Sequence, residues 1–186
     1  SARVMGTCGC LGQAVGTAAY VADLYGLTPR GVGGHIGEVQ QILLKYDCFL
    51  PNATREVSPV CKNAKLVYGG QSADIERLRD GFDRDTESVT TGAILKNGTA
   101  VTYEFEPAQK INGVKIVFDS DFLRKTIGTE NVYEKYHSTR ANVQSDSPVL
   151  NVPKTLAKAF AVSGITAGGK EVTLFKTDRN LKRNVI

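Results

Sequence analysis

The sequence predicts an α+β fold, an N-terminal helical segment followed by an antiparallel β-sandwich. Three observations carry this reading. Small and apolar residues dominate from Val4 to Tyr25; Ile36, Val39, Ile42, Leu43 and Tyr46 recur at helical spacing; and after Pro59 the apolar period drops to two. At 186 residues the chain can bury one good core, or one core and a small appendage. An apolar fraction of 41% beside 23% charged residues is ordinary for a globular protein.

The first element is a glycine-rich loop over residues 3–10 that runs into a helix from Leu11 to Tyr25. Gly12, Ala14, Gly16, Ala18 and Ala19 leave this helix with little side chain, and each interior glycine costs roughly 1 kcal/mol against alanine. Such spacing serves either close packing of a second element or close approach of a ligand phosphate to exposed N–H groups. Gly26 suits the position just past the helix end. Thr28-Pro29 reads as the next helix start, with threonine as N-cap and proline in the first turn. Gly31-Val32-Gly33-Gly34 follows a helical stretch and Pro29 rather than an apolar strand, so it reads as a helix break. The second helix then continues to about Asp47.

Beyond Pro59, Val101, Tyr103 and Phe105 alternate with Thr102, Glu104 and Glu106, as in a strand with one wet face. Asn112-Gly113 marks a turn before the alternating run Val114, Ile116, Phe118. Further strands are expected at Ala64–Tyr68, Ser88–Thr91, Ala157–Ile165 and Glu171–Lys176, with turns at Asn97-Gly98 and Gly168-Gly169. The division is therefore 1–57 for the helical part and 58–186 for the β part. The connection from Asp119 to Pro153 is long and polar for a sandwich, which points to a functional or poorly ordered loop.

The formal net charge is +4, and the basic residues are scattered apart from Lys182-Arg183, which argues against nucleic acid as a partner. No run of apolar residues is long enough to span a membrane. Cys8-x-Cys10 is too tight for the usual zinc pairs, and neither His35 nor His137 lies beside it. Buried thiols are the expectation for Cys8, Cys10, Cys48 and Cys61, with a Cys48–Cys61 bridge as the alternative. Asp80, Asp83 and Asp85 crowd a glycine turn. They suit either a calcium site, since that cation takes several oxygens from a flexible loop, or a turn whose aspartates bond backbone N–H groups. Saccharide binding would draw on Tyr68, Tyr133 and Tyr136, with His137 and Arg140 near the last two. No Gly-x-Ser-x-Gly elbow is present.

Residues 3–19, Arg-Val-Met-Gly-Thr-Cys-Gly-Cys-Leu-Gly-Gln-Ala-Val-Gly-Thr-Ala-Ala, resemble the C-terminal flavin-contacting segment of a family of FAD-dependent oxidoreductases. The helix–Pro–helix order and Phe49-Leu50-Pro51 extend the likeness to about residue 52. The resemblance implies hydride transfer through FAD in an intact parent, with Gly6, Thr7, Gly12, Gln13 and Ala14 against the flavin or its pyrophosphate. The family's nucleotide-binding half needs Gly-x-Gly-x-x-Gly after a strand, which this chain lacks. It therefore reads as the C-terminal part of a larger flavoprotein that holds no FAD by itself. A periplasmic or secreted parent fits this reading. The β part resembles a galactose-binding-like (discoidin-type) jelly roll through Leu78-Arg79-Asp80-Gly81, Val101-Thr102-Tyr103-Glu104-Phe105, Ile111-Asn112-Gly113-Val114-Lys115-Ile116 and Phe160-Ala161-Val162, and it stops where that family continues into more strands. That likeness implies an accessory module for glycan binding, and calcium near the Asp80 loop. The competing class is a non-enzymatic carbohydrate-binding or interaction module. Two helices alone cannot cover the apolar surface of residues 11–25, so self-association through the N-terminal helices, or their packing on the sandwich, is expected.

Overall fold

A computed structural model describes residues 4–70, 74–86, 89–121, 152–153 and 155–186. The chain divides into two units. The first comprises Ser1–Ser58 with Gly81–Asp83, and the second Pro59–Asp80 with Arg84–Ile186.

In the first unit, α1 spans Met5–Tyr25. It starts well before Leu11, so the glycine-rich run is helix rather than loop. No proline interrupts Met5–Cys10, and the Cys8 N–H already bonds the Val4 carbonyl at 3.0 Å. Gly26 ends the helix in the left-handed conformation, φ 62°, with the Leu27 N–H on the Ala22 carbonyl at 2.8 Å. Thr28 then takes the Gly31 N–H on both its carbonyl, at 2.9 Å, and its hydroxyl, at 3.3 Å, so Thr28-Pro29 closes a turn rather than opening the helix expected there. The glycine run expected to break the helix winds instead as a 3-10 turn, Gly31–His35, and places Val32 in the core. Helix α2 follows at Ile36–Lys45. Val21, Val32, Val39 and Leu43 form the core of this unit, with Ala14, Ala18, Ala22, Ile42, Cys48 and Leu50 packed on it.

The run Thr54–Glu56 is held from two sides. Gln41 donates to the Thr54 carbonyl at 2.9 Å and accepts from the Glu56 N–H at 2.8 Å. Gly81 accepts from the Arg55 N–H at 3.0 Å, and Asp83 binds the Arg55 guanidinium through both oxygens at 3.0–3.2 Å. Gly81 has φ +87°, and a Cβ there would lie 2.5 Å from the Arg55 carbonyl oxygen, so only glycine fits.

The second unit opens with the short helix α3, Pro59–Asn63. Arg79, at the end of a 3-10 turn Ile75–Arg79, donates to the carbonyls of Cys61, Lys62 and Ala64 at 2.6–2.9 Å. The strands are β1 Lys65–Tyr68, β2 Val101–Glu104, β3 Ile116–Val117, β4 Phe160–Ile165, β5 Glu171–Thr177 and β6 Asn184–Val185. They pair antiparallel as β1–β2, β3–β6 and β4–β5, three separate two-stranded sheets among the described residues. The architecture is thus α+β with small antiparallel pairs. Val89–Thr91 forms no strand, because Thr86 closes a turn on Val89 at 2.9 Å; Ser88 lies outside the described residues.

The β4–β5 register shifts between Val162, opposite Phe175, and Ser163, opposite Thr173, which leaves Leu174 as an extra residue on β5. The shift keeps Phe160, Val162, Phe175 and Val172 on one face and turns Leu174 towards Gly164. Phe118 and Phe175 both pack on Phe160, with ring centroids at 4.9 and 5.5 Å. Asn180 is buried and ties the chain ends of this region together. Its amide donates to the Ala157 and Lys182 carbonyls at 2.9 and 3.0 Å, and its oxygen accepts from the Lys182 N–H at 2.9 Å.

Candidate functional site

The early helix start redistributes the residues that the flavin resemblance picks out. Val4 provides no side-chain cap, and the first turn carries no acidic residue. The N–H groups of Met5, Gly6 and Thr7 therefore lie beyond the helix's own ladder, where anions bind. Gly12, Gln13 and Ala14 are interior residues whose N–H groups serve the helix, so they cannot offer them to a cofactor as a start at Leu11 would have allowed. Ala14 packs on the unit's own core, away from the outer face. The Gln13 side chain lines a groove of about 620 Å³ between α1 and α2, with Gly16, Tyr20, Glu38, Lys45 and Tyr46.

Packing among the described residues does not explain the glycines of α1. A Cβ on Gly6, Gly9, Gly12 or Gly16 would meet nothing within 4 Å. Around them Met5, Val15, Tyr20 and Leu24 are exposed, and Asp23 is the one charged residue of the helix. Gly9, Gly12 and Gly16 are interior, and at roughly 1 kcal/mol each they are a large standing penalty. They make sense where something outside the described residues approaches the helix backbone. Spacing alone could not tell an inward from an outward face; the open Cβ positions turn these glycines away from the described residues.

At the other end of α1, the Tyr25 hydroxyl donates to Glu38 at 3.3 Å, the Tyr25 and His35 rings stack at 4.5 Å, and His35 lies 3.7 Å from Glu38. The hydrogen bond to Glu38, and then its charge, raises the Tyr25 pKa above the ordinary phenol value. This cluster fastens α1 to α2 and had no signal in the sequence.

The acidic loop splits between the units. Asp83 belongs to the first and engages Arg55. Asp80 and Asp85 belong to the second and meet on Thr91, whose hydroxyl donates to Asp80 at 2.6 Å and whose N–H donates to Asp85 at 2.7 Å. Among the described residues no three His, Cys, Asp or Glu side chains gather as a metal set. The saccharide candidate Tyr68 accepts from the Lys96 N–H at 3.0 Å and the Thr99 hydroxyl at 3.5 Å, pinning the Asn97-Gly98 turn; these bonds lower its pKa. Tyr133, Tyr136, His137 and Arg140 lie outside the described residues. No disulfide forms, and Cys8 and Cys10 are exposed rather than buried because they sit on α1 ahead of its packing against α2. No helix among the described residues is long and apolar enough to cross a membrane.

No family model matches the chain, and no match is found among curated proteins or solved structures.

Proposed function

We propose that this chain is the C-terminal part of an FAD-dependent oxidoreductase, with a β module that serves as an accessory, glycan-binding part built on a galactose-binding-like jelly roll. The observation that supports the flavin reading is the outward glycine face of α1 together with its uncapped first turn. Those features suit a flat or anionic group lying against helix backbone, and they fall within residues 3–19, the segment that resembles the flavin-contacting one.

The N–H groups of Gly6 and Thr7 would take cofactor oxygens at the positive end of the helix. Gly12 would let the ring system approach the backbone, and Gln13 would supply a side-chain amide for orientation. Bound flavin supplies the hydride acceptor. The chain's own contribution is positioning and exclusion of water, since α1 carries no charged group before Asp23.

The test is Gly12→Val in the intact protein. Because a Cβ at Gly12 meets nothing among the described residues, and valine is no worse than glycine in a helix, the fold is kept. Flavin content, read by visible absorbance after purification, should fall to background. A variant that keeps its flavin overturns the reading.

A further inference from the structure

We infer that Asn112 is a site of spontaneous covalent modification, deamidation through a cyclic imide, and that its turn holds Asn97 back from the same reaction. Asparagine followed by glycine is the pair most open to this chemistry, because no Cβ shields the glycine nitrogen. The chain has two such pairs, Asn97-Gly98 and Asn112-Gly113, and all four residues are exposed. The Gly113 amide nitrogen gives its proton to a solvent base and bonds to Asn112 Cγ. The bond from Cγ to the side-chain nitrogen breaks, and ammonia leaves with a proton from water. Water then opens either carbonyl of the succinimide ring. The product is aspartate or, with the backbone rerouted through the side chain, isoaspartate. Nothing is oxidised or reduced.

Ring closure requires the glycine nitrogen to swing onto Cγ of the asparagine before it, so backbone freedom decides the rate. At Asn97 that freedom is missing. The Thr99 N–H donates to the Lys96 carbonyl at 3.1 Å, and the Thr99 hydroxyl donates to the same oxygen at 2.5 Å. Gly98 has φ +79° and Asn97 is not left-handed, the type II pattern. Tyr68 accepts from the Lys96 N–H at 3.0 Å, which fastens the turn to the paired strand β1. Asn112-Gly113 is the opposite case. Although the sequence suits a turn there, no hydrogen bond among the described residues holds 111–114, and β3 begins only at Ile116. A Cβ on Gly113 would meet nothing within 4 Å, so no neighbour crowds the forming ring.

Neither pair belongs to the residues of the flavin reading, so the result is independent of it. The experiment incubates the full chain at mildly alkaline pH, folded and in denaturant. Peptide mass mapping follows conversion at both asparagines, and an isoaspartyl methyltransferase marks the iso product. In the folded chain Asn112 should react at least about tenfold faster than Asn97, a difference of about 1.4 kcal/mol in barrier. In denaturant the two rates should converge, because the turn at Asn97 is gone. Gly113→Ala should slow Asn112 by a similar factor, since the added methyl shields the nitrogen while the open space around Gly113 keeps the fold. Equal rates in the folded chain, or a faster Asn97, overturn the inference. So does a difference that persists in denaturant, or an undiminished rate in Gly113→Ala.

Discussion

Asp83→Ala tests the clamp on Thr54–Glu56. Asp83 and Arg55 have side-chain exposures of 13% and 22%, and the carboxylate accepts three guanidinium contacts at 3.0–3.2 Å. A hydrogen bond to a charged group contributes about 1.5–3 kcal/mol, and removing one member of a fully buried pair costs about 3–5 kcal/mol. The residual exposure of Arg55 lets water recover part of that. A loss of about 2 kcal/mol is therefore expected. For a unit of this size it corresponds to a fall in melting temperature of roughly 8–16 °C. Chemical denaturation of the wild type, Asp83→Ala, Arg55→Ala and the double variant isolates the pair from the loss of side-chain packing. The first unit should lose stability in both single variants, and the double variant should cost little more than either. A coupling below about 0.5 kcal/mol would show the contact to be a surface ion pair of no consequence.

Asn180→Ala leaves the Lys182 N–H and the Ala157 carbonyl without partners in a partly buried place; a loss of about 2–3 kcal/mol in urea unfolding is expected, and an effect under about 0.5 kcal/mol would contradict the hub. Glu38→Gln should lower the Tyr25 pKa, since the neighbouring carboxylate opposes tyrosinate formation; ultraviolet titration against Tyr25→Phe reads it, and an unmoved titration would remove Glu38 as the cause. Because the folded state holds this proton more tightly, whatever stability it lends is kept at neutral pH and lost as pH rises through the folded-state value. A chelator should leave the melting curve unchanged, because Asp80, Asp83 and Asp85 already bond to Thr91 and Arg55. A lower melting temperature would instead assign a bound cation to the loop.

Local chemistry was well written in the sequence. Gly26 past the helix end and the glycine turns before β2 and β5 each depend on a few neighbouring residues. The strand runs near Val101, Phe160 and Glu171 also follow from alternation. What escaped depends on distance or on fine balance. The start of α1 is decided by the absence of any competing structure in Met5–Cys10, which composition does not rank. The extra Leu174 on β5 is defined only by the strand opposite. Arg79 and Asp83 each act on carbonyls or charges far along the chain, and neither position differs locally from a solvated charge. At the candidate site, the glycine spacing was visible, but whether it faced inward or outward was not.

The return of Gly81–Asp83 to the first unit bears on the order in which the chain is made. Synthesis runs from the N-terminus, so α1, α2 and the Thr54–Glu56 run emerge before their last fastening exists. Until Asp83 follows, Arg55 has no carboxylate and its N–H has no Gly81 carbonyl. The two bonds from Gln41 hold the run during that interval. The clamp on Arg55 therefore closes only after α3, β1 and the Ile75–Arg79 turn have been made. Completion of one folding unit is thereby timed by the synthesis of part of the next.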